Sequence, residues 1–271
     1  MLWDVIVDLR NTPMSYLLLA KRRYRLGRKK PPGHRVEQLA AVMGLGGQPP
    51  DPRVWISDRA RDSAITLIPD GTPVLAIGPT ANWSAKTWRP GYFVDLIDRL
   101  TAPGGILPGA RIAVFGRDDE RPMALRVIDS IPNERRIDLV GRLDLMDVGA
   151  CLERAAFYVG NDSGLMHLAA AVGIPTLGLF GPSLDELYAP WGPLGAAVRA
   201  DKSFDEIFPE NFNHRDADSL MDSLTVDTVE EAASDLWRRA SEAAASARTC
   251  SFRRSSSSIT KKPSLWIVWR V

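Results

Sequence analysis

Beyond residue 73 the chain alternates short apolar runs with stretches whose apolar positions recur every three or four residues. Residues 74–77, 111–115, 137–140, 156–159, 176–180 and 196–199 are the runs, and they predict strands. Residues 91–100 (entered through Pro90), 120–130, 144–154, about a dozen residues from Ser163, and 226 to about 239 carry the helical spacing. Asp144 is a natural N-cap, with Asp147 in the capping-box position three residues on. Continuous apolar strands separated by helices imply a parallel sheet covered on both faces, so this part predicts a doubly wound α/β domain. The first 69 residues are less regular. Residues 2–9 predict a buried strand and 14–20 the start of a helix. Residues 34–45 predict a helix stopped by Gly44-Leu45-Gly46-Gly47, and 58–68 another short helix. Pro69-Asp70-Gly71-Thr72-Pro73 separates the two regions.

In doubly wound sheets ligands bind beyond the carboxyl ends of the strands, where the winding reverses. Four loops lie there, at residues 78–89, 116–120, 141–142 and 160–164. The last reads Gly160-Asn161-Asp162-Ser163-Gly164, with glycines that let the chain bend and a ligand approach the backbone. A helix beginning at about Ser163 aims free N–H groups and its positive end at that space, which suits phosphate. The same residues also fit an ordinary N-cap, with Gly173-Ile174-Pro175 as a common helix stop. The first loop contributes Ser84 and Lys86, a hydroxyl and a mobile cation suited to a diphosphate, although a surface lysine reads the same way. Trp83 and Trp88 read as packing residues rather than a stacking platform. In the second loop, Arg117, Asp118, Asp119 and Glu120 offer a ribose acceptor or simply acidic partners for a helix dipole. Gly141-Arg142 adds a further cation. His167 stands one turn into its helix, where it reads as core or as a ligand contact.

Composition restricts these readings. Of 271 residues, 45% are hydrophobic and 25% charged, and the net charge is +1, which gives no global argument for nucleic acid. Seven of the ten residues 21–30 are basic; they predict a solvated loop or a contact to anionic lipid or a phosphorylated acceptor. Cys151 and Cys250 are too few for a disulfide framework and fit a reducing cytoplasm. His34, His167 and His214 lack metal-ligand spacing, so no structural metal is expected. Asp4 and Asp8 interrupt the N-terminal apolar run as a signal sequence, and no apolar stretch reaches the roughly 18 residues of a membrane span.

The run from Gly160 to Pro182, G-N-D-S-G-L-M-H-L-A-A-A-V-G-I-P-T-L-G-L-F-G-P, resembles the most diagnostic stretch of glycosyltransferase family 9, the lipopolysaccharide heptosyltransferase family. A-K-T-W-R-P after the first strand of the regular region, V-F-G after the second, and G-R-L-D-L support it. The likeness covers about residues 74–237 and, more weakly, 2–45. It implies a GT-B-type fold, in which a complete C-terminal doubly wound Rossmann-like domain (residues 70–239) binds the donor and a partial N-terminal Rossmann-like domain (1–69) lies on the acceptor side. It further implies a metal-independent transferase with no cofactor. Its donor would be a nucleotide-sugar such as ADP-heptose, and its acceptor a lipopolysaccharide core at the inner membrane surface. By motif position, Asp162, Ser163 and Gly164 correspond to the diphosphate loop with His167 beside it. Ser84 and Lys86 correspond to the residues clasping the phosphates from the other side, Lys86 stabilising the leaving group. Asp118 is the match for the acidic ribose contact, with Asp119 and Glu120 as alternatives.

The sequence also departs from the family pattern. The glycine-containing strand-loop-helix that carries the family's acidic base has no counterpart, and Asp8 is a tempting substitute whose surroundings resemble a later strand. The catalytic base is therefore unassigned, and a truncated, inactive nucleotide-sugar-binding remnant is the rival reading. A sugar-nucleotide epimerase is a third, without its own acidic and histidine signatures here. Residues 240–271 predict a disordered tail.

Overall fold

A computed structural model describes residues 2–28, 31–201 and 218–254, with side chains described as far as residue 246. Its centre is a six-stranded, wholly parallel sheet. β3 (Val74–Gly78), β4 (Arg111–Val114), β5 (Arg136–Asp138), β6 (Phe157–Asn161), β7 (Thr176–Phe180) and β8 (Gly195–Arg199) lie in the order β5-β4-β3-β6-β7-β8. The chain winds outward from β3 to β5, returns to the centre, and winds the other way from β6 to β8. The switch point is thus the β3–β6 pair, in register from Leu75 opposite Phe157 to Gly78 opposite Gly160.

The central strands are buried along their whole length on both faces, which is why they read as unbroken apolar runs. On one face α4 (Pro90–Thr101), α5 (Arg121–Ser130) and the start of α9 (Val226–Arg254) cover Leu75, Ile77, Val159 and Leu177. On the other, α6 (Leu145–Glu153) and α7 (Gly164–Val172) pack over Ala76, Ala113 and Tyr158. The helix α3 (Asp58–Leu67) joins this second face: Ile56, Ala60, Ala64 and Ile68 belong to the same apolar cluster. Expected in the N-terminal unit, α3 therefore packs as part of the large domain, because its small-residue stripe fits against α6.

The N-terminal region departs from expectation in two ways. The first half of the basic run is not a loop: β2 (Ala20–Arg25) pairs in parallel with β1 (Trp3–Asp8), after the short helix α1 (Met14–Leu17), and only residues 26–28 of its described part lie outside regular structure. Lys21 pairs with Asp4 at 2.7 Å and Arg25 with Asp8 at 3.7 Å, so the neighbouring strand supplies the countercharges. Nor is β1 buried. Trp3, Val5 and Val7 are exposed, because β2 is its only strand partner among the described residues. α2 (Arg35–Val42) follows, with His34 as its N-cap and Gly44 in the left-handed region just beyond its end.

The tail expectation also changes. α9 runs on to Arg254, 15 residues beyond the expected end at 239, and Ala240 is the last buried residue among its described side chains. The alanine-rich sequence Ala243-Ala244-Ala245-Ser246-Ala247 has high intrinsic helix propensity. Residues 255–271, the serine run and apolar end, lie outside the described residues.

Candidate functional site

Two loops meet over the switch point. After β3 the chain makes a short 3-10 turn at Ser84–Lys86, and after β6 it turns through Asp162 and Ser163 into α7. Two contacts join them. The Trp88 backbone N–H donates to Asn161 Oδ1 at 2.9 Å inside the core, and Lys86 Nζ lies 3.3 Å from Asp162 Oδ2. Only 15% of the Lys86 side chain and 11% of the Asp162 side chain are exposed, so this ion pair is largely shielded from water. The Ser84–Lys86 turn is also held from outside. Leu220 N donates to the Ala85 carbonyl, Trp88 Nε1 donates to the Leu224 carbonyl, and Arg89 clasps Asp218 and Asp222 through four hydrogen bonds. Trp88 is fully buried against Tyr92 and Phe93 and is a packing residue, as expected.

Ser163 is the N-cap of α7 in extended conformation, but its hydroxyl caps no backbone N–H. The first backbone N–H groups of the helix are therefore available to an anion. Gly164 is exposed, and a side chain there would enter open space, so a ligand can reach this backbone closely. Gly160 serves a different end from the expected bend. Its φ is not positive, and a Cβ on it would stand 2.5 Å from the Tyr158 hydroxyl.

Of the second loop's acidic residues, Glu120 is buried and accepts from Thr80 Oγ1 at 2.8 Å and from the Arg117 N–H at 3.0 Å, tying the β3 and β4 loops together. Asp119 is paired with Arg117 at 2.7 Å. Asp118 is exposed and rests against Gly141, whose φ of +69° and 2.7 Å distance from a built Cβ to Asp118 leave no room for a side chain. Arg142 is exposed and bonds the Asp138 carbonyl. Ser84 is exposed at the start of its turn.

His167 is not core. It faces a cavity of about 350 Å³ bounded also by His34, Leu39, Tyr188 and Trp191, where α2 meets α7 and the short helix α8 (Asp185–Tyr188). Although the residue is open to solvent on one side, the surrounding protein desolvates the imidazolium and pushes its pKa below the ordinary histidine value. Asp162 works in the opposite direction, and His34 and Lys86 add to the lowering. His34 Nδ1 accepts from the Val36 N–H, so the proton sits on Nε2, which lies 2.9 Å from the Ala189 carbonyl; the ring packs 4.8 Å from that of Trp191. The fold thus brings together two histidines that are 133 residues apart in sequence (167 − 34). Among the described residues no three His, Cys, Asp or Glu side chains gather as a metal-binding set. His214 lies outside the described residues.

Asp8, the tempting base, is buried and engaged. It accepts from the backbone N–H groups of Arg10 and Thr12. The Ser15 hydroxyl, outweighing burial, together with those N–H groups and Arg25 holds its carboxyl below the usual range. A carboxylate so satisfied is a poor proton acceptor.

Comparisons with known proteins agree with this architecture. The chain is 29% identical over 131 residues to lipooligosaccharide heptosyltransferase 2 of Haemophilus influenzae, a match covering 47% of this chain and 36% of that protein. The matched region thus spans about a third of that relative's length. A glycosyl transferase family 9 structure from Veillonella parvula superposes with a TM-score of 0.69 at 19% identity, covering 86% of this chain and 73% of the other. The E. coli ADP-heptose lps heptosyltransferase II gives 0.66 at 18% identity, covering 88% and 77%. The description "Glycosyltransferase family 9 (heptosyltransferase)" fits residues 14–208 as a family model, well over half of the sequence. With its diagnostic run folded into the β6–α7 turn at the switch point of a doubly wound sheet, the chain belongs to glycosyltransferase family 9.

Proposed function

We propose that this chain carries the donor-binding machinery of a metal-independent glycosyltransferase. It would transfer a sugar, heptose from ADP-heptose, to a lipopolysaccharide core or related glycan acceptor. The observation that carries this reading is the shielded Lys86–Asp162 pair set beside the open N-terminus of α7. A diphosphate placed there takes the α7 N–H groups, the Ser163 hydroxyl and the Lys86 ammonium as donors, with Ser84 at the outer side of the same turn. Asp162 holds Lys86 at the mouth of the site in the empty protein. Asp118, the acidic side chain of its loop left unpaired by Arg117 and Thr80, is the candidate ribose acceptor. His167 flanks the sugar end as a neutral imidazole.

In the reaction an acceptor hydroxyl attacks the anomeric carbon. The bond from that carbon to the diphosphate oxygen breaks, and its electron pair leaves with the nucleotide. Lys86 and the positive end of α7 stabilise the charge developing on that oxygen, the kind of fixed electrostatic contribution that dominates many enzymatic rate enhancements. The base that takes the acceptor proton is unassigned, since Asp8 is committed to its own loop. No helix among the described residues is long and apolar enough to cross a membrane. Family membership, rather than that absence, is what supports a cytoplasmic site of action, at the inner membrane surface when the acceptor is lipid-borne.

The test is incubation of the purified chain with ADP-heptose and deep-rough lipopolysaccharide, following ADP release and the mass of the acceptor. Acceptor-dependent release with a heptose increment supports transfer. ADP binding without transfer supports the remnant reading, for which the committed state of Asp8 is the favouring observation. ADP release without an acceptor increment points to epimerase-like or hydrolytic chemistry, and absence of ADP binding rejects the donor site itself.

A further inference from the structure

The strand β6 that delivers Asp162 and Ser163 contains a phenol that the donor reading does not use. Tyr158 is wholly buried, and its hydroxyl makes no hydrogen bond of acceptable geometry. Buried hydroxyls are nearly always satisfied, and an orphan calls for a reason. This one has been given space at some cost to the sheet. A Cβ at Gly78 would lie 2.0 Å from the Tyr158 oxygen and one at Gly160 2.5 Å, so both paired glycines at the carboxyl ends of β3 and β6 must lack side chains to admit it. A second orphan, Ser163 Oγ, is shielded from solvent at the start of α7. Burial pushes the phenol well above its ordinary pKa, a hydrogen-bond interaction with the Ser163 hydroxyl eases it downward, and Asp162 and Glu120 push it up again; Tyr158 therefore stays protonated, with Ser163 beside its oxygen in less than full hydrogen-bond geometry.

We propose that Tyr158 is a positioning residue for the diphosphate: with ligand bound, its hydroxyl donates to Ser163 Oγ, and the Ser163 O–H donates to a non-bridging phosphate oxygen above α7. The inference rests on the diphosphate reading above and deepens it. A phosphate oxygen at neutral pH offers only acceptors, and a serine hydroxyl has one proton to give. A donor behind Ser163 leaves that single proton free for the ligand and polarises it. In the empty protein neither hydroxyl completes a hydrogen bond of full geometry, and the ligand's pull on Ser163 completes the chain. The unsatisfied phenol is thus a stability cost held in reserve for binding.

The experiment is a double-mutant cycle of Tyr158→Phe and Ser163→Ala, read by calorimetric affinity for ADP and for inorganic pyrophosphate, with thermal unfolding of each ligand-free protein. Pyrophosphate isolates the diphosphate contact from the nucleoside. Tyr158→Phe should weaken both ligands about five- to tenfold, the scale of one hydrogen bond. It should also raise the unfolding midpoint by about 2–4 °C, because the orphan oxygen is gone. In the Ser163→Ala background the same substitution should change affinity less than twofold. Unchanged affinity in Tyr158→Phe, an affinity loss that persists in full without the Ser163 hydroxyl, or a lowered midpoint each overturns the proposal. If the parent protein binds neither probe, the donor-site reading fails and this inference with it, whereas binding by parent and Tyr158→Phe alike overturns the inference alone.

Discussion

Replacing Lys86 by methionine keeps the length of the side chain and removes its charge. In the empty protein this leaves Asp162, with its side chain 11% exposed, without its Lys86 partner. A mostly buried polar group deprived of its partner costs about 1–3 kcal/mol, so urea unfolding should show a loss of that order. In the liganded protein the substitution removes a charge-assisted hydrogen bond worth about 1.5–3 kcal/mol, a 10- to 150-fold weakening of ADP binding. The unscreened Asp162 charge adds repulsion toward the diphosphate. Converting Asp162 to asparagine in the same protein separates the two effects. Lys86→Met/Asp162→Asn should recover most of the stability and part of the affinity, but still bind ADP more weakly than the parent, because the lost cation contact is not replaced. Isothermal titration in low salt reads the affinities, and the parent's advantage should shrink as salt is added. Lys86→Met binding ADP within twofold of the parent would refute the assignment of Lys86 to the diphosphate. A double variant binding as tightly as the parent would show that Lys86 only neutralises Asp162.

Gly78→Ala should destabilise the fold by about 1–3 kcal/mol, since its Cβ has nowhere to go but into the Tyr158 ring; chemical denaturation measures it. Cys151 is fully buried and its thiol is pushed up to about 11, so in a Cys250→Ser variant at pH 8 it should resist a thiol reagent until the protein is unfolded. His167 carries a folded-state pKa below its ordinary value of 6.5, so the unfolded chain binds a proton that the native protein refuses. Its contribution to stability is therefore complete above pH 6.5 and declines as the pH falls from there toward the depressed native value. A His167→Gln variant should show a flatter midpoint-versus-pH curve below 6.5, with unaltered dependence between pH 7 and 9.

The doubly wound domain was legible in the sequence because its signals are local. Strands buried on both faces must be apolar at every position, and residues 74–77, 156–159 and 176–180 show this without help from the rest of the chain. Asp144 could be read as a cap because capping involves a neighbour three residues away, and its carboxylate does accept from Asp147 N at 2.9 Å. β2 was not legible: Lys21-Arg22-Arg23-Tyr24-Arg25 has no apolar face, and it is a strand because β1 lies beside it with Asp4 and Asp8 at matching positions. The extension of α9 is not legible because the small-residue run after 239 reads together with the serine run and apolar end as a low-complexity appendage, whereas an alanine-rich continuation of an anchored helix needs no new nucleus.

The sequence by itself determined the fold class and the positions of the loops at the switch point, since both depend on the period of apolar residues and on glycine-bounded turns. It left Lys86 as either a phosphate contact or a surface lysine, His167 as core or contact, and three carboxylates in the β4 loop without distinction. Tertiary structure supplies the geometry that bears on each. The reversal of winding sets β3 against β6 and so carries Lys86 to within 3.3 Å of a carboxylate 76 residues away. His167 faces a cavity closed by His34 from the other end of the chain, and partners already occupy Asp119 and Glu120 but not Asp118. Tyr158 belongs wholly to the second category. In sequence it is one more apolar-run aromatic, and only the two glycines packed around its hydroxyl reveal a polar group kept without a partner beneath the helix that would hold the phosphate.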